Sequence, residues 1–521
     1  MSLARARSVA LVGVQGHIIE VEADLAQGLP GFALVGLPDT ALSESRDRVR
    51  AAVVNSGEMW PARRITVSLS PASLPKRGSG FDLPIAVAIL AGAGAMQPSV
   101  LEGVVLLGEL GLDGRLRGVR GVLPAVMAAA RAGSRRAVVP SANVAEARLV
   151  PDVDVLGARS LRELLAVIRG EEPPVDDTPG VDETPFDEPP AVAVPRLYID
   201  ELDLADVRGQ LEARRALEVV AAGGHHLFLV GPPGAGKTML AERLPGLLPP
   251  LEGQDALEVT AVHSVAGLLA PGQPLVTRPP FCNPHHTASV PAVVGGGTGL
   301  ARPGAVSLAH RGILFLDEAA EFPSRLLDAL RQPLESGEVF ISRAAGSARF
   351  PARCTLVLAA NPCPCGHAFG SSSPCDCTPQ AARRYLGRIS GPLLDRIDLR
   401  LGVCAPSRAD LVGDQQPETT ADVAKRVRSA RERSRGRLAG TPWRLNSEVP
   451  GRLLRSQWRA TPGGGRIIHR AIDRGLLSAR GADRVLRVSW TVADLWGDPR
   501  PAEPHVQEAL SLRVSASGVA A

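Results

Sequence analysis

Long apolar runs are missing from this chain. The longest, Leu83 to Met96, is shorter than the roughly 20 residues that a membrane-spanning helix requires. Near the N-terminus, Arg5 and Arg7 precede the apolar run 9–14, which is too short for the core of a signal peptide and ends at Gln15. We therefore expect a cytoplasmic protein that does not act at a membrane.

Lysine is scarce, because only three of the 521 residues are lysine and none lies between Lys76 and Lys237. The formal net charge is only +4, but it is unevenly distributed. Residues 171–195 hold eight acidic residues, seven prolines and no Lys or Arg. Such a segment cannot bury enough apolar surface to fold, so we predict a flexible, self-repelling linker. The rest of the chain carries about +12, which permits a polyanionic partner without proving one.

Cysteine is too sparse for a disulfide framework, with seven residues in the chain. Four of them, Cys363, Cys365, Cys375 and Cys377, form two C-x-C pairs separated by nine residues. Four thiolates this close together in a reducing compartment are typical of a tetrahedral structural Zn²⁺ site. The alternative is a loop of reduced thiols, with His367 as a substitute ligand.

A glycine-rich stretch in the middle of the chain follows the apolar run 227–230 and precedes the helix-like segment 239–244. A strand, a glycine-rich loop and a helix in this order are the context of a phosphate-binding loop. The loop's N–H groups converge on a phosphate, Lys237 can reach the β- and γ-phosphates, and the Thr238 hydroxyl can ligate Mg²⁺. The residues predicted to bind ATP are Gly231, Pro232, Pro233, Gly234, Ala235, Gly236, Lys237 and Thr238.

Two further apolar runs end in polar side chains. The run 313–316 leads into Asp317 and Glu318, and the run 355–360 leads into Asn361. We predict that Asp317 holds the Mg²⁺ shell and that Glu318 positions and deprotonates the attacking water. In an AAA+ interpretation, Asn361 is the sensor residue that hydrogen-bonds this water or the γ-phosphate.

Two arginines beyond these runs are further candidates. Arg396 lies where an arginine finger belongs in an AAA+ protein, and it would stabilise transition-state charge at a neighbouring subunit's nucleotide. A salt bridge from Arg396 to Asp395 or Asp398 is an equally good interpretation. The segment from about residue 420 to 515 predicts a lid of helices, in which Arg480 lies at a helix start facing the cleft, as a second sensor.

A β-hairpin is predicted between residues 339 and 350, with Arg343 and Arg349 near its tip. If it projects from the core, these arginines can pair with DNA phosphates, independently of base sequence and with steep salt dependence. The alternative is a hairpin that only packs at a subunit interface.

A second projection is predicted from residues 278–287 and the glycines 295–297. We interpret its His285-His286 pair as part of a polar loop. A metal site is a weak interpretation, because adjacent side chains on an extended chain point apart.

The first 170 residues alternate strand-like and helix-like segments, and around 108–116 and 138–140 they resemble the proteolytic domain of Lon proteases. The Lon serine position falls on Gly80, with Ser79 one place away, and the lysine position falls on about Ala125. A Ser–Lys dyad needs an amine beside the hydroxyl. We therefore expect the fold without the protease.

The assembled motifs resemble the YifB/ComM family of magnesium-chelatase-like AAA+ ATPases. The segments that carry this resemblance are 231–238, 278–287, 308–318, 361–366 and 389–399. The resemblance implies an α/β protein that begins with a Lon-protease-like α+β domain of the ribosomal S5 domain 2 type. A P-loop AAA+ domain and a C-terminal helical lid follow. The implied boundaries are 1–170 for the non-proteolytic Lon-like (ChlI-type) domain, 171–195 for the linker, 196–415 for the ATPase core and 416–521 for the lid.

The same resemblance implies a homohexamer that uses ATP and Mg²⁺ to drive branch migration of DNA in recombination or natural transformation. The alternative is a protein-remodelling or metal-insertion ATPase of the magnesium chelatase type, although those motor subunits normally lack the Lon-like domain and the cysteine cluster. One departure from the family is Trp490, which stands where arginine is expected before Thr491. Arg480 and Arg484 then remain as the cationic groups of the lid.

Overall fold

A computed structural model describes residues 2–36, 44–74, 76, 78–173, 202–270, 274–297, 301–343, 346–368, 374–406, 408, 410 and 417–514. Residues 174–195 of the predicted linker lie outside this part of the chain, as do the side chains of Arg343 and Ser79. Among the described helices, none combines the length and the apolar character that crossing a bilayer demands.

A seven-stranded mixed sheet organises the N-terminal part, in the order β3-β4-β2-β1-β5-β8-β9. The first two strands pair antiparallel along their whole length, from Ser2 opposite Leu25 to Val12 opposite Gln15. A separate two-stranded ribbon pairs β6 antiparallel with β7. The strands are β1 (Ser2–Val12), β2 (Gln15–Ala26), β3 (Gly31–Val35), β4 (Arg64–Ser70), β5 (Val104–Leu106), β6 (Glu109–Leu110), β7 (Leu116–Arg117), β8 (Arg136–Pro140) and β9 (Asp154–Ala158).

Five helices accompany this sheet: α1 (Ser45–Asn55), α2 (Asp82–Gly92), α3 (Val122–Arg131), α4 (Val144–Ala147) and α5 (Leu161–Arg169). Every residue of α2 is buried, because the helix packs on β1 and β2 and is covered by α1. A helix enclosed on all sides is apolar all round, which explains the longest apolar run of the sequence.

The central part is built on a five-stranded parallel sheet in the order β11-β14-β17-β10-β18. Parallel strands are covered on both faces, and their short sequences are accordingly almost wholly apolar. The carboxyl ends of β10, β14 and β17 meet at one edge of the sheet. The strands are β10 (Leu227–Val230), β11 (Phe281–Cys282), β14 (Ile313–Leu316), β17 (Thr355–Ala360) and β18 (Leu399–Gly402).

Two small antiparallel ribbons interrupt this pattern. The first pairs β12 (Gly295–Gly296) with β13 (Arg302–Pro303), and the second is the hairpin of β15 (Glu338–Arg343) and β16 (Gly346–Pro351). The helices of the central part are α6 (Leu211–Gly223), α7 (Lys237–Leu247), α8 (Gly253–Ala266), α9 (Val290–Val294), α10 (Ala305–Leu308), α11 (Ser324–Ala329), α12 (Arg331–Ser336), α13 (Pro379–Leu386) and α14 (Gly391–Leu394).

In the described residues 417–514, the C-terminal part is built from the helices α15 (Thr420–Leu438), α16 (Gly451–Arg455), α17 (Pro462–Asp473), α18 (Ala479–Trp496) and α19 (Glu503–Val514). Trp490 lies in the core of this part, where its indole N–H donates to the Trp458 carbonyl at 2.9 Å and the Arg437 guanidinium lies 4.2 Å from its ring centre. The tryptophan at the family's arginine position is therefore a packing residue, and the neighbouring Thr491 hydroxyl contacts His225 at 2.8 Å.

The Lon-like part is joined to the central part through α8. Gly121 N–H donates to the Ser264 carbonyl at 3.2 Å, and the Ser264 hydroxyl donates to the Glu146 carboxylate. Ala125, the position of the Lon lysine, is buried in the hydrophobic cluster that includes Ala261 of α8. Ala125 therefore belongs to the apolar cluster that includes residues of both the Lon-like part and the central part.

Candidate nucleotide-binding site

The glycine-rich loop connects β10 to α7, as its sequence context predicts. Gly234 and Gly236 have positive φ angles of 75° and 81°, which a side chain would strain. Gly231 is required for a different reason, since a Cβ atom there would lie 2.1 Å from the Val403 carbonyl oxygen. The loop therefore packs against the carboxyl end of β18, and its N–H groups lie at the start of α7.

Lys237 is the first residue of α7 and is almost completely buried. Its ammonium donates to the carbonyl oxygens of Gly231 and Pro232, at 2.8 and 2.9 Å, and to the Asn361 side-chain oxygen at 3.1 Å. Burial lowers the pKa of Lys237 from its ordinary value, and the nearby carboxylates of Asp317 and Glu318 oppose this shift. Lys237 and Asn361 therefore lie together, and their roles toward a nucleotide stay predictions.

Thr238 and Asp317 also lie together, because the threonine hydroxyl donates to the Asp317 carboxylate at 2.6 Å. Mg²⁺ is commonly bound through one or two carboxylates together with hydroxyl, water and phosphate oxygens, and this pair offers a carboxylate and a hydroxyl. The ammonium, the loop N–H groups and this oxygen pair fit a nucleoside triphosphate with Mg²⁺.

Glu318 follows Asp317 with φ 50° and ψ 44°, in the left-handed region. This conformation costs a residue with a side chain about 1–3 kcal/mol and is concentrated at functional sites. The Glu318 N–H donates to Asp317 Oδ1 at 2.9 Å, which ties the two acidic residues together. The Glu318 carboxylate lies 3.3 Å from Nδ1 of His286.

The sequence did not predict two of these contacts. His286 was assigned to a polar loop, yet it reaches Glu318. Gln210, which precedes α6 with φ 49°, donates its side-chain N–H to the carbonyl oxygens of Ala235 at 2.7 Å and Cys404 at 2.9 Å. In the sequence, Gln210 stands directly after a glycine and before a helix. This local pattern does not predict a contact between Gln210 and the phosphate-binding loop.

Arg396 does not form either of the salt bridges that the sequence suggested. Its guanidinium contacts the Glu335 carboxylate and donates to the Pro392 carbonyl at 2.6 Å. Asp398 is instead paired with Arg484 at 2.7 Å and with His225 at 3.1 Å. For Arg396 to reach the nucleotide of another subunit, its contact with Glu335 would have to break. The role of Arg396 as an arginine finger therefore stays a prediction.

Arg480 lies in the first turn of α18 and is exposed. Within the described residues, no hydrogen bond or ion pair links it to the glycine-rich loop. Arg484, one turn later, points into the protein, where it also donates to the Arg396 carbonyl at 3.0 Å. The role of Arg480 as a second sensor also remains a prediction.

The four clustered cysteines bring their sulfur atoms within 4.8 Å of one another. Cys363 lies 3.3 Å from Cys365 and 3.7 Å from Cys375, close to the sulfur separation of about 3.8 Å in a tetrahedral Zn²⁺ site with 2.3 Å bonds. The backbone N–H of His367 is the main cause that lowers the pKa of the Cys365 thiol to about 6, whereas the pKa values of the neighbouring Cys375 and Cys377 thiols are raised, so the fit to a metal rests on the sulfur positions. The cluster fits a structural Zn²⁺.

This cysteine loop also supports the nucleotide site. It begins directly after Asn361, and Gly366, with φ 82°, packs against the ring of Pro233 so closely that a Cβ atom would lie 2.5 Å from it. The loop therefore contacts both the predicted sensor and the phosphate-binding loop.

The predicted hairpin is present, but Arg349 is not near its tip. It lies opposite Phe340 in the middle of the ribbon, whereas Arg343 pairs with Gly346 beside the turn. Arg349 forms a 3.3 Å ion pair with Glu338, and its guanidinium lies 5.8 Å from the centre of the exposed Phe340 ring. Val339 and Phe350 fill the opposite, buried face.

Comparison with known protein families gives three matches along the chain. Residues 203–411 match the model described as magnesium chelatase, subunit ChlI. Residues 21–143 match subunit ChlI of Mg-chelatase, and residues 417–513 match the C-terminal part of that subunit. The α/β fold class predicted from the sequence is confirmed.

Curated relatives extend over the whole chain. An uncharacterised protein of Mycobacterium tuberculosis is 53% identical over 98% of this chain and 99% of its own length. Competence protein ComM of Haemophilus influenzae is 43% identical over 98% of both chains, and YifB of Escherichia coli is 42% identical over 98% of this chain and 97% of its own.

A further relative matches only about a third of the chain. A Lon protease of Mycolicibacterium smegmatis is 30% identical over 168 residues, which are 31% of this chain and 21% of that protease. The full-length matches to ComM and YifB, together with the three magnesium chelatase matches, show that the chain belongs to the YifB/ComM family of magnesium-chelatase-like AAA+ ATPases.

Proposed function

We propose that this AAA+ ATPase assembles as a hexamer and uses ATP hydrolysis to move branched DNA, as in branch migration during recombination or natural transformation. The observation that carries the proposal is the combination of a candidate nucleotide site whose side chains lie together with a hairpin that exposes Arg349 on one face, on a chain that is 43% identical to a competence protein over 98% of its length.

In the proposed ATPase reaction, Lys237 and the loop N–H groups bind and orient the phosphates, and Thr238 and Asp317 hold Mg²⁺. Asn361, held beside Lys237, orients the water that attacks the γ-phosphate. Glu318 takes a proton from that water. Arg396 of a neighbouring subunit stabilises the charge that develops in transfer, which makes the hexamer part of the active site.

The proposed DNA contact is the exposed face of the hairpin. Arg349 supplies positive charge for phosphates, and the exposed Phe340 ring beside it offers a surface on which a base can stack. Arg343 lies in the last pair before the turn. These residues provide no array for reading base edges, so binding should depend on salt and not on sequence.

The test is a double variant, Arg343→Ala with Arg349→Ala, measured for ATPase with and without DNA and for four-way-junction unwinding. We expect intact hexamers and basal ATPase, and loss of both DNA stimulation and unwinding. The matched control is Arg466→Ala with Arg470→Ala, which removes the same charge from α17 of the lid. Unchanged unwinding in the hairpin variant would rule out the hairpin. A parent protein that does not respond to DNA at any salt concentration would rule out the DNA motor.

A second candidate function is a protein-remodelling or metal-insertion ATPase. It is favoured by the three matched families, all of which are named for magnesium chelatase. ATPase stimulated by an unfolded protein or a porphyrin, with no response to DNA, would select it.

We also propose that Cys363, Cys365, Cys375 and Cys377 hold one structural Zn²⁺. The spacing of their sulfur atoms supports this assignment. The ion would fix the loop that follows Asn361 and contacts Pro233.

A further inference from the structure

Residues 394–398, which we call the finger turn, carry Arg396 and are bonded to the lid through their backbone. Arg484 of α18 donates to the Arg396 carbonyl at 3.0 Å. Arg513, near the end of α19, donates to the carbonyls of Ile397 and Asp398 at 2.7 and 2.9 Å. Two arginines of the lid thus bind three consecutive carbonyl oxygens of the turn that carries the proposed finger.

The Arg513 guanidinium is partly buried and forms no ion pair with a carboxylate in the part of the chain that the structure describes. Burial is the main cause that lowers its pKa to about 10, so it stays charged at neutral pH. The nearby Asp398 carboxylate contacts Arg484 at 2.7 Å and His225 at 3.1 Å instead. A charge removed from water has to be satisfied by hydrogen bonds, and those of Arg513 go to the finger turn.

A cavity of about 180 Å³ lies between the lid and the finger turn. Its lining includes Asp395 and Arg400 of the central part and Leu477, Ser478 and Arg513 of the lid. Close packing is interrupted at this place, so the directed hydrogen bonds of the arginines matter more for the position of the turn. The turn has space to shift when these bonds are lost.

We propose that Arg513, together with Arg484, is a positioning residue for the arginine finger. A carbonyl that is fixed in place fixes its peptide plane, and the planes around residue 396 set the direction in which the Arg396 side chain leaves the backbone. The lid of one subunit thereby supports hydrolysis at the nucleotide of the next subunit. This inference rests on the proposed action of Arg396 between subunits.

The first measurement compares ATP binding with turnover in Arg513→Met, which keeps an unbranched side chain and removes the donors. We expect an unchanged Kd for ATP and a kcat lower by roughly tenfold to a hundredfold, because a displacement of about 1 Å at a catalytic group costs rate on this scale. Arg513→Lys keeps an ammonium that can bond both carbonyls and should restore part of kcat. Arg513→Met combined with Arg396→Ala should be no slower than Arg396→Ala alone.

The matched control is Arg431→Met. Arg431 is also a lid arginine whose pKa burial lowers to about 10, and it donates to the carbonyl of Ala221 in α6 at 2.8 and 2.6 Å. This contact joins the lid to the central part without involving the finger turn. A rate lost because the lid is loosened should appear in both variants, whereas a misplaced finger should appear in Arg513→Met alone.

Mixed subunits distinguish a misplaced finger from a damaged nucleotide site. Arg513→Met mixed with Lys237→Ala should recover activity, because the second subunit supplies an intact finger to the intact loop of the first. Arg513→Met mixed with Arg396→Ala should not recover, because neither subunit then has a working finger. Any activity that Arg431→Met has lost should return when it is mixed with Arg396→Ala.

The positioning role would be overturned by an unchanged kcat in Arg513→Met, by an Arg513→Lys protein as slow as Arg513→Met, or by recovery of Arg513→Met with Arg396→Ala. Thermal denaturation and the mass of the assembly show whether the variants are folded. If Arg513→Met is not folded, Arg513→Gln, whose shorter side chain cannot bond both carbonyls, replaces it in the mixtures.

A failure of the finger itself gives a different result. If Arg396→Ala does not recover with Lys237→Ala, Arg396 does not act between subunits, and the positioning role is wrong with it. If that mixture recovers and Arg513→Met with Lys237→Ala does not, the finger stands and the positioning role alone is wrong.

Discussion

Several residues proposed to act on ATP are held by hydrogen bonds to their neighbours. Lys237 is fixed by two loop carbonyls and Asn361, Thr238 is bonded to Asp317, and Glu318 is connected to Asp317 through its own N–H. This arrangement limits how far any one group can move before a phosphate arrives. Pre-set positions of this kind reduce the reorganisation that the reaction requires.

The first prediction separates nucleotide binding from hydrolysis. Lys237→Ala should bind ATP weakly, because the cation that reaches the β- and γ-phosphates is removed. Glu318→Gln should bind ATP normally and lose turnover by about a hundredfold or more, because an amide cannot accept the proton. Nucleotide binding and steady-state ATPase measurements distinguish the two variants.

The matched control for Glu318 is Glu321→Gln. Glu321 lies on the same segment, but its carboxylate pairs with Arg388 at 3.1 Å. This variant should keep its turnover within about twofold of the parent, as expected for a surface ion pair. Equal turnover in Glu318→Gln and the parent would remove Glu318 from the role of the base.

At the scale of single elements, the described residues 362–368 and 374–377 carry the cysteine cluster beside the nucleotide site. The few apolar side chains of this cysteine loop cannot hold it in place, whereas four thiolates on one ion can. Gly366 brings this loop against Pro233. The order of the loop should therefore affect the affinity for ATP.

The second prediction concerns this loop. Elemental analysis after purification without chelators should find about one zinc per chain. Cys375→Ser with Cys377→Ser should abolish the zinc and raise the Kd for ATP by about tenfold, the loss typical when a supporting group of a site is removed.

The control for the cysteine variant is Cys404→Ser, which changes an exposed cysteine outside the cluster. It should keep both the zinc and the affinity for ATP. If the parent contains no metal and all four thiols titrate freely, the zinc assignment is wrong. The cluster is then a loop of reduced thiols.

At the scale of the whole molecule, two of the contacts among the described residues join the Lon-like part to the central part. One is the α8 surface, where Ser264 meets Glu146 in a largely buried position. The other is the turn between β1 and β2, where a Cβ atom on Gly13 would lie 2.5 Å from the Arg349 carbonyl oxygen. This part therefore packs against the middle of the hairpin that we propose to contact DNA.

The third prediction concerns the chemistry of this part. We expect no cleavage of unfolded casein, with or without ATP, because the lysine position falls on about Ala125, no lysine lies between Lys76 and Lys237, and a dyad needs that amine. Cleavage that survives Ser79→Ala and stops with Lys237→Ala would indicate a motor-coupled protease of another design.

The fourth prediction concerns the assembly. Arg396→Ala subunits should bind ATP normally and hydrolyse it poorly, because the guanidinium acts on the neighbour's nucleotide. Mixing them with Lys237→Ala subunits should restore part of the activity, since some interfaces then combine an intact loop with an intact finger. Arg388→Ala, which removes an exposed arginine paired with Glu321, is the matched control and should be as active as the parent. Mixtures without any recovery would contradict action between subunits.

The sequence by itself determined the features that depend on local chemistry. The phosphate-binding loop follows from its glycines between a strand and a helix, and Asp317 and Asn361 follow from apolar runs that end in polar groups. The antiparallel hairpin between residues 339 and 350 was predicted from its turn and its alternation, and the helices of the C-terminal part from their periodicity.

Only the tertiary structure decided which distant side chains meet. His286 lies 32 residues before Glu318, and Arg396 lies 61 residues after the Glu335 that it contacts, so no local pattern predicts either pair. The parallel register of β11 and β14 brings the first pair to one sheet edge, and the packing of α12 against the loop before β18 sets the second. Such contacts depend on the order of strands in a sheet, which neighbouring residues along the chain do not encode.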